Sequence, residues 1–384
     1  MNRIDFYISN NNHHWQIIKP VIQELLNTNQ RIRLMSFCEL RRMPTPVDVP
    51  QGVDMVRLFD RKVRGMGTSF GNRGLGGNRS PLRNMLRFIL WQFILKPRVV
   101  KLIRNGKPAI SVLPNDTAFP FNYLCKELKR YSIRFLLIQE GIRFPLPNEK
   151  GGIPYGSNGA VAVLAWGEKS ASYFRNMGCN VEVVGCPRYD QMLKQDYSSE
   201  IQHLESRYQF GQYNILFASN PVDDQGFCSR LQKLDLFKKF LLSAELLFPP
   251  NHRIFLKLHP RESAADFSLV IKDTAMEQKV SIVDDVPLFL LLRKVNLVVI
   301  FASTIGLEAA LNGTQVCVVK LPGYGFQFDY VDSGIALPLD LDRISEFKLK
   351  SISRQAMEEY SRGYLAYQGQ SAKRVATVIM KYIR

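Results

Sequence analysis

Between Arg61 and Lys107 the chain carries no aspartate or glutamate, against twelve lysines and arginines. That one-sided stretch contributes heavily to a formal net charge of +17. It points to an anionic partner: a phosphorylated substrate, an acidic lipid surface or nucleic acid. No RNA-binding signature or other nucleic-acid motif accompanies it, so nucleic acid is not among the expected partners. Cysteine is sparse too. Cys38, Cys125, Cys179, Cys186, Cys228 and Cys317 are scattered without a C-x-x-C pair or a Cys/His metal spacing. That pattern argues against a disulfide scaffold or structural zinc and for a reduced, cytoplasmic setting. No apolar h-region follows Met1, so no secretory signal is expected. The apolar run Phe88–Leu95 is too short to span a bilayer and is expected to be broken at Pro97.

What is present is a strand-helix alternation. At 384 residues the chain can hold two domains with their own cores. Arg3–Ile8, Trp15–Leu26 and Arg31–Phe37 read as a β-loop-α-β opening. Apolar runs such as Leu297–Phe301 read as parallel strands covered on both faces. The expected fold class is therefore α/β, with doubly wound layers. The boundaries read as a first domain over 1–195, carrying a basic insertion at about 61–107, and a second over 210–345. A helical region over 346–384 is expected to pack back on the domains.

The chemistry concentrates where strands are expected to end. Asn10–His14 forms a polar loop after the first strand. His13 and His14 there are candidate acceptor-binding residues, or only a solvated loop with a helix cap. Arg134–Ile138 ends in Gln139-Glu140-Gly141. An acid at a strand's carboxyl end, followed by glycine, is well placed as a general base. Arg143 nearby could pair with Glu140 or hold an anion. In the second half, Arg253–Leu258 runs into His259-Pro260. Leu297–Phe301 runs into Ala302-Ser303-Thr304 at a helix start, with Glu308 in the first turns. Hydroxyls and free N–H groups there make a phosphate seat, or simply an N-cap. Lys257 and Ser219 sit at the same strand ends. Asp223-Asp224 and Asp284-Asp285 are acidic pairs that fit loops or caps at least as well as a metal clamp.

Pro81–Arg104 is a basic, apolar helical stretch. Arg83, Arg87, Lys96, Arg98, Lys101 and Arg104 flank its apolar run, and Trp91 and Phe93 suit a membrane interface. It reads either as a surface for an anionic membrane over 83–104, or as a helix whose apolar side is core.

Taken together, Gln139-Glu140-Gly141, His259-Pro260 and Ser303-Thr304 resemble the acid-acid-Gly, HP and Ser/Thr motifs of bacterial sialyltransferases and Kdo transferases. These are CMP-sugar-dependent glycosyltransferases of the GT-B class. The segments WGEKSASYFRNMGCNVEVVGCPRYD and KLHP…STIGLEA are also similar to capsule and surface-polysaccharide biosynthesis proteins. The resemblance covers roughly residues 109–320. It implies a GT-B fold, two Rossmann-like domains facing across a crevice, with the acceptor on the first and the nucleotide donor on the second. Glu140 would be the base. His259, with Pro260, Lys257, Ser303, Thr304, Glu308 and Ser219, would bind the nucleotide and its phosphate. His13, His14 and Arg143 would meet the glycan or glycolipid acceptor. No metal or other cofactor is implied. Gln139 departs from the pattern, since the first acid is missing. The reading is a cytoplasmic glycosyltransferase peripheral to the inner face of the cell membrane, moving sialic acid or Kdo from CMP with inversion. A CDP-glycerol or CDP-ribitol phosphotransferase, a UDP-sugar 2-epimerase and a non-catalytic scaffold are the alternatives.

Overall fold

The computed structural model describes residues 2–41, 43–59, 81–142, 155–194, 196–259 and 262–383. Arg143, Pro260 and nearly all of the Gly-rich stretch 58–78 lie outside them. The chain divides into two compact units. The first holds Met1–Arg143, Lys150–Gln195 and Gly363–Arg384, and the second is built from Asp196–Arg362.

The first unit has seven strands: β1 (Arg3–Ile8), β2 (Arg31–Ser36), β3 (Val53–Arg57), β4 (Ile110–Leu113), β5 (Phe135–Ile138), β6 (Ala162–Ala165) and β7 (Val181–Val183). All pair in parallel, in the order β3-β2-β1-β4-β5-β6-β7. The crossovers include α1 (His13–Leu26), α2 (Pro81–Leu90), α3 (Lys96–Asn105), α4 (Phe121–Arg130), α5 (Glu168–Asn176) and α6 (Pro187–Lys194). Strands sandwiched between helices need apolar side chains on both faces, and Phe135-Leu136-Leu137-Ile138 is buried at every position. The second unit opens with α7 (Ser198–Arg207), β8 (Tyr213–Ala218), α8 (Arg230–Leu247), β9 (His252–Lys257), α9 (Ala264–Asp273) and β10 (Val280–Ile282). It continues through α10 (Leu288–Leu292), β11 (Leu297–Ile300), α11 (Ile305–Leu311), β12 (Gln315–Val319), β13 (Ala336–Leu339) and α12 (Arg354–Tyr364). Its sheet is again parallel, in the order β10-β9-β8-β11-β12-β13.

In both sheets the order in which strands are added reverses once. The switch point lies between β1 and β4 in the first unit and between β8 and β11 in the second. There the loops at the strands' carboxyl ends splay apart and leave room for a ligand.

The helical stretch expected over Pro81–Arg104 is continuous from Pro81 to Asn105, with a π-helical turn at Trp91–Leu95. Pro97 falls in the first turn of α3, where its missing N–H is accommodated most easily. Trp91 does not face an interface: it is 1% exposed and stacks on Tyr123 at 5.6 Å. His13 and His14 are not loop residues but open α1. Two strands escaped the sequence reading, β3 and β13, and both are edges. An edge strand is only half covered and tolerates residues such as Pro338 that argue against a central strand.

The last helix, α13 (Ser371–Ile383), belongs to the first unit, where it packs on α1, α6 and β4. Asp190 of α6 holds its start. The carboxylate accepts from the backbone N–H groups of Gly369 (2.6 Å) and Ser371 and from the Ser371 hydroxyl (2.9 Å).

Candidate active site

At the first switch point, β1, β4 and β5 bring His13, His14, Asn115 and Glu140 together. Glu140 Oε1 accepts from Asn115 Nδ2 at 2.5 Å, and Oε2 meets His14 Nε2 at 2.9 Å. Each donor is itself fixed. Asn115 Oδ1 accepts from the backbone of Thr117 (2.9 Å) and Ala118 (2.7 Å), so its amide NH₂ must face Glu140. The Ser9 N–H donates to His14 Nδ1 at 3.1 Å, which places the ring proton on Nε2, aimed at the carboxylate. Arg188, a donor only, gives a proton to His13 Nδ1 at 3.0 Å. His13 Nε2–H is then left for the Glu140 backbone carbonyl. Both rings are therefore neutral donors. Burial, then the Arg188 and His14 charges, push the His13 pKa down to about 4. Burial also lowers that of His14.

Asn115 and His14 thus steady the Glu140 carboxylate, which keeps 22% of its side chain open to solvent. That arrangement holds a carboxylate where it can accept a proton. The histidines expected to touch an acceptor instead orient the acid.

Gln139, where the resemblance places an acid, is buried and fully employed. Its amide nitrogen donates to Gly141 O (3.0 Å) and Ser170 Oγ (2.9 Å). Its Oε1 accepts from Trp166 N (2.8 Å), and its carbonyl accepts from the Trp166 indole (2.8 Å). A carboxylate could not donate to the Gly141 carbonyl. Glutamine at 139 therefore ties β5 to β6 and sets the peptide that carries Glu140.

At the second switch point the Ser303-Thr304 turn follows β11. Ser303 Oγ accepts from Ile305 N at 3.2 Å, and Tyr330 donates to Ser303 O at 3.1 Å. Gly306 is required there, because a Cβ would lie 2.6 Å from the Tyr330 ring. Glu308 is buried in α11. His259 follows β9 and is half-buried, with its N–H on Glu262 Oε2 at 2.8 Å. Lys257 points elsewhere: its ammonium donates to the carbonyls of Asp284 (3.2 Å) and Val286 (2.6 Å). Burial lowers its pKa. Ser219 gives its hydroxyl to Glu262 at 2.8 Å.

Asn115, Arg188, Asn220, Lys233, Glu262 and Tyr330 were not singled out from sequence. Asn115 and Asn220 share one usable signal, an asparagine one or two residues past a buried strand. The acidic pairs are spent locally: Asp223 on Lys233 (2.6 Å), Asp284 on Leu258 N (3.0 Å) and Asp285 on Arg207. A D-x-D triplet, Asp340-Leu341-Asp342, also escaped the sequence reading. Its carboxylates pair with Lys320 and Lys239, each at 2.7 Å. Among the described residues no cluster of three or more His, Cys, Asp or Glu could hold a metal ion. No described helix is long and apolar enough to cross a membrane.

Residues 225–327 match the family model described as capsule polysaccharide biosynthesis protein. No curated protein matches the chain. Among solved structures, the UDP-GlcNAc 2-epimerase of Neisseria meningitidis bound to UDP-GlcNAc is similar at a TM-score of 0.58 and 14% identity, covering 99% of this chain and 100% of that one. The Methanocaldococcus jannaschii UDP-GlcNAc 2-epimerase in complex with UDP-GlcNAc and UDP gives 0.61 and 13%, covering 99% of each. The wall teichoic acid polymerase TagF gives 0.55 and 12%, covering 100% of this chain and 88% of that one. Likeness at such identities speaks to fold, and with the two parallel sheets above it gives the chain a GT-B architecture of two Rossmann-like units.

Proposed function

We propose that the protein is a metal-independent, inverting glycosyltransferase of surface-polysaccharide biosynthesis that uses a CMP-activated sialic acid or Kdo. The observation that carries this is the Glu140 carboxylate, held by Asn115 and His14 and open to solvent at a switch point. Glu140 takes the proton of an acceptor hydroxyl as that oxygen attacks the anomeric carbon. The bond from that carbon to the CMP phosphate breaks, and CMP leaves with the electron pair. His259 and the Ser303-Thr304 turn offset the charge that develops on the phosphate. The match of residues 225–327 to the capsule family model supports the setting. A thermal-shift panel with CMP, CDP, UDP, UMP and GDP, without and then with Mg²⁺, tests the donor. A ligand at 100 times its Kd should stabilise by about 2.7 kcal/mol. A metal-independent shift with CMP alone is expected. A preference for CDP would move the assignment to glycerol or ribitol phosphate transfer.

A UDP-sugar 2-epimerase is the second reading, favoured by near full-length likeness to epimerase structures. A held carboxylate can also remove a proton from carbon. Solvent deuterium at C2 of UDP-GlcNAc after incubation would establish that reading.

The protein works against an anionic membrane in this proposal, through the outer face of α2. Leu82, Met85, Ile89 and Phe93 recur at helical spacing and are 60%, 51%, 42% and 76% exposed. Lys101 is exposed nearby, whereas Lys96 is paired with Glu127 at 3.0 Å and Arg98 with the Leu58 carbonyl at 3.2 Å. A second copy would carry the same net charge of +17, and that like charge favours acidic lipid as the occupant of this face. Replacing Met85, Ile89 and Phe93 together with Ser should abolish co-sedimentation with phosphatidylglycerol vesicles and leave activity on a soluble acceptor intact. Unchanged sedimentation would remove membrane docking from the proposal.

A further inference from the structure

We infer that Glu262, with Ser219, Asn220 and Lys233, is the positioning device of the nucleotide seat rather than part of its lining. This rests on the reading of the second unit as a nucleotide site. Glu262 is 4% exposed and gathers three elements. Its Oε2 accepts the His259 N–H at 2.8 Å, and its Oε1 accepts from Ser219 Oγ (2.8 Å) and from Lys233 Nζ of α8 (2.9 Å). Lys233, also 4% exposed, is shared with Asp223 Oδ1 at 2.6 Å. One residue further along the chain, Asn220 reaches the opposite way across the switch point. Its Nδ2 donates to Ala302 O at 2.6 Å, and its Oδ1 accepts from Ala302 N at 3.4 Å. The dipeptide at the end of β8 therefore grips the His259 loop with one residue and the Ser303-Thr304 turn with the next. β8 lies between β9 and β11, the strands that carry those two loops.

Two consequences follow for recognition. The His259 N–H is already taken by Glu262, so a phosphate is met by the imidazole and by the Ser-Thr turn. And Lys233, set between Glu262 and Asp223, offsets part of their charge, which lessens the repulsion that a buried carboxylate would exert on an anion above it.

The test measures Kd by calorimetry for CMP, CDP and UDP with the full chain and with E262Q, H259A and E262Q/H259A. A positioning role makes the losses non-additive. E262Q alone should weaken binding by about tenfold, and should add less than about twofold in the H259A background. Should E262Q fail to fold, N220S is read in the same way against S303A, since it releases Ala302 and leaves the ion pair whole. Unchanged affinity, or losses that multiply, overturns the positioning role while nucleotide binding by the wild-type chain stands. If the wild-type chain binds none of the three, the nucleotide reading itself falls and takes this inference with it.

Discussion

Each unit places a carboxylate past the carboxyl end of a sheet strand, Glu140 after β5 and Glu262 after β9, and the two are held in different ways. Glu140 keeps 22% of its side chain in solvent and is held by an amide and a neutral imidazole. Glu262 is 4% exposed and is matched by the Lys233 ammonium. An ion pair fixes geometry and neutralises charge, which suits a scaffold beneath an anion. An acid left open to solvent stays within reach of a substrate, which suits a base. Exposure, not the residue type, decides which acid a substrate can meet.

Removing the open acid tests that contrast most severely. Glu140→Gln keeps the side chain's size but can accept only one of the two hydrogen bonds from Asn115 and His14, and turnover should fall by about 10²–10⁴-fold, because a general base contributes on that scale. Nucleotide-induced thermal shifts should stay as in the wild type. Equal turnover would mean that the first unit's acid is not the base.

Breaking the closed pair should instead cost stability. Glu262→Leu leaves Lys233 with Asp223 but takes the acceptor from the His259 N–H and the Ser219 hydroxyl, and should lower the unfolding free energy by about 1–3 kcal/mol. Urea unfolding reads this as a lower midpoint at constant slope. Lys233→Met combined with Glu262→Gln should recover much of the loss. A single variant as stable as the wild type would show the pair to be dispensable.

Acid should act through the first unit's histidines. The folded pKa of His13 is about 4, against an ordinary 6.5, and that of His14 is also lowered. Below pH 6.5 the unfolded chain takes up protons that the folded chain refuses. Stability contributed by these neutral rings is complete above that pH and is lost as the pH falls toward 4. For His13 the loss is at most about 3 kcal/mol, and less because the ring is only partly buried. Unfolding midpoints between pH 7 and 4 should slope downward, and His13→Asn/His14→Gln should flatten that slope. An unaltered slope would assign the acid sensitivity to other groups.

The sheets were legible because their central strands include continuous apolar runs such as Leu297–Ile300 and Phe135–Ile138. The edges were not, since half-covered β3 alternates weakly and β13 contains Pro338. Glu140, His259 and Ser303 could be found because each follows such a run directly. Their supports could not. Glu262 and Lys233 are joined only once α8 packs against α9, and nothing in local spacing marks a lysine on a helix as the partner of an acid 29 residues on. His14 looked like loop chemistry until α1 placed it 2.9 Å from an acid 126 positions away. Lys257 illustrates the converse: it stood beside the right motif, but its ammonium turned toward the carbonyls after β10.

The hold of Asp190 on the start of α13 has a consequence for how the protein is made. Its carboxylate waits for partners 179 and 181 positions downstream. A ribosome adding roughly 5–20 residues per second needs on the order of 10–40 s to deliver them. During that interval all seven strands of the first sheet have emerged, yet the surface of α1 that receives the last helix is bare. The second unit, an uninterrupted stretch by comparison, can close first. The half of the protein that is synthesised first is therefore the half that is finished last, and a chain cut short after Arg362 would lose the integrity of its beginning rather than its end.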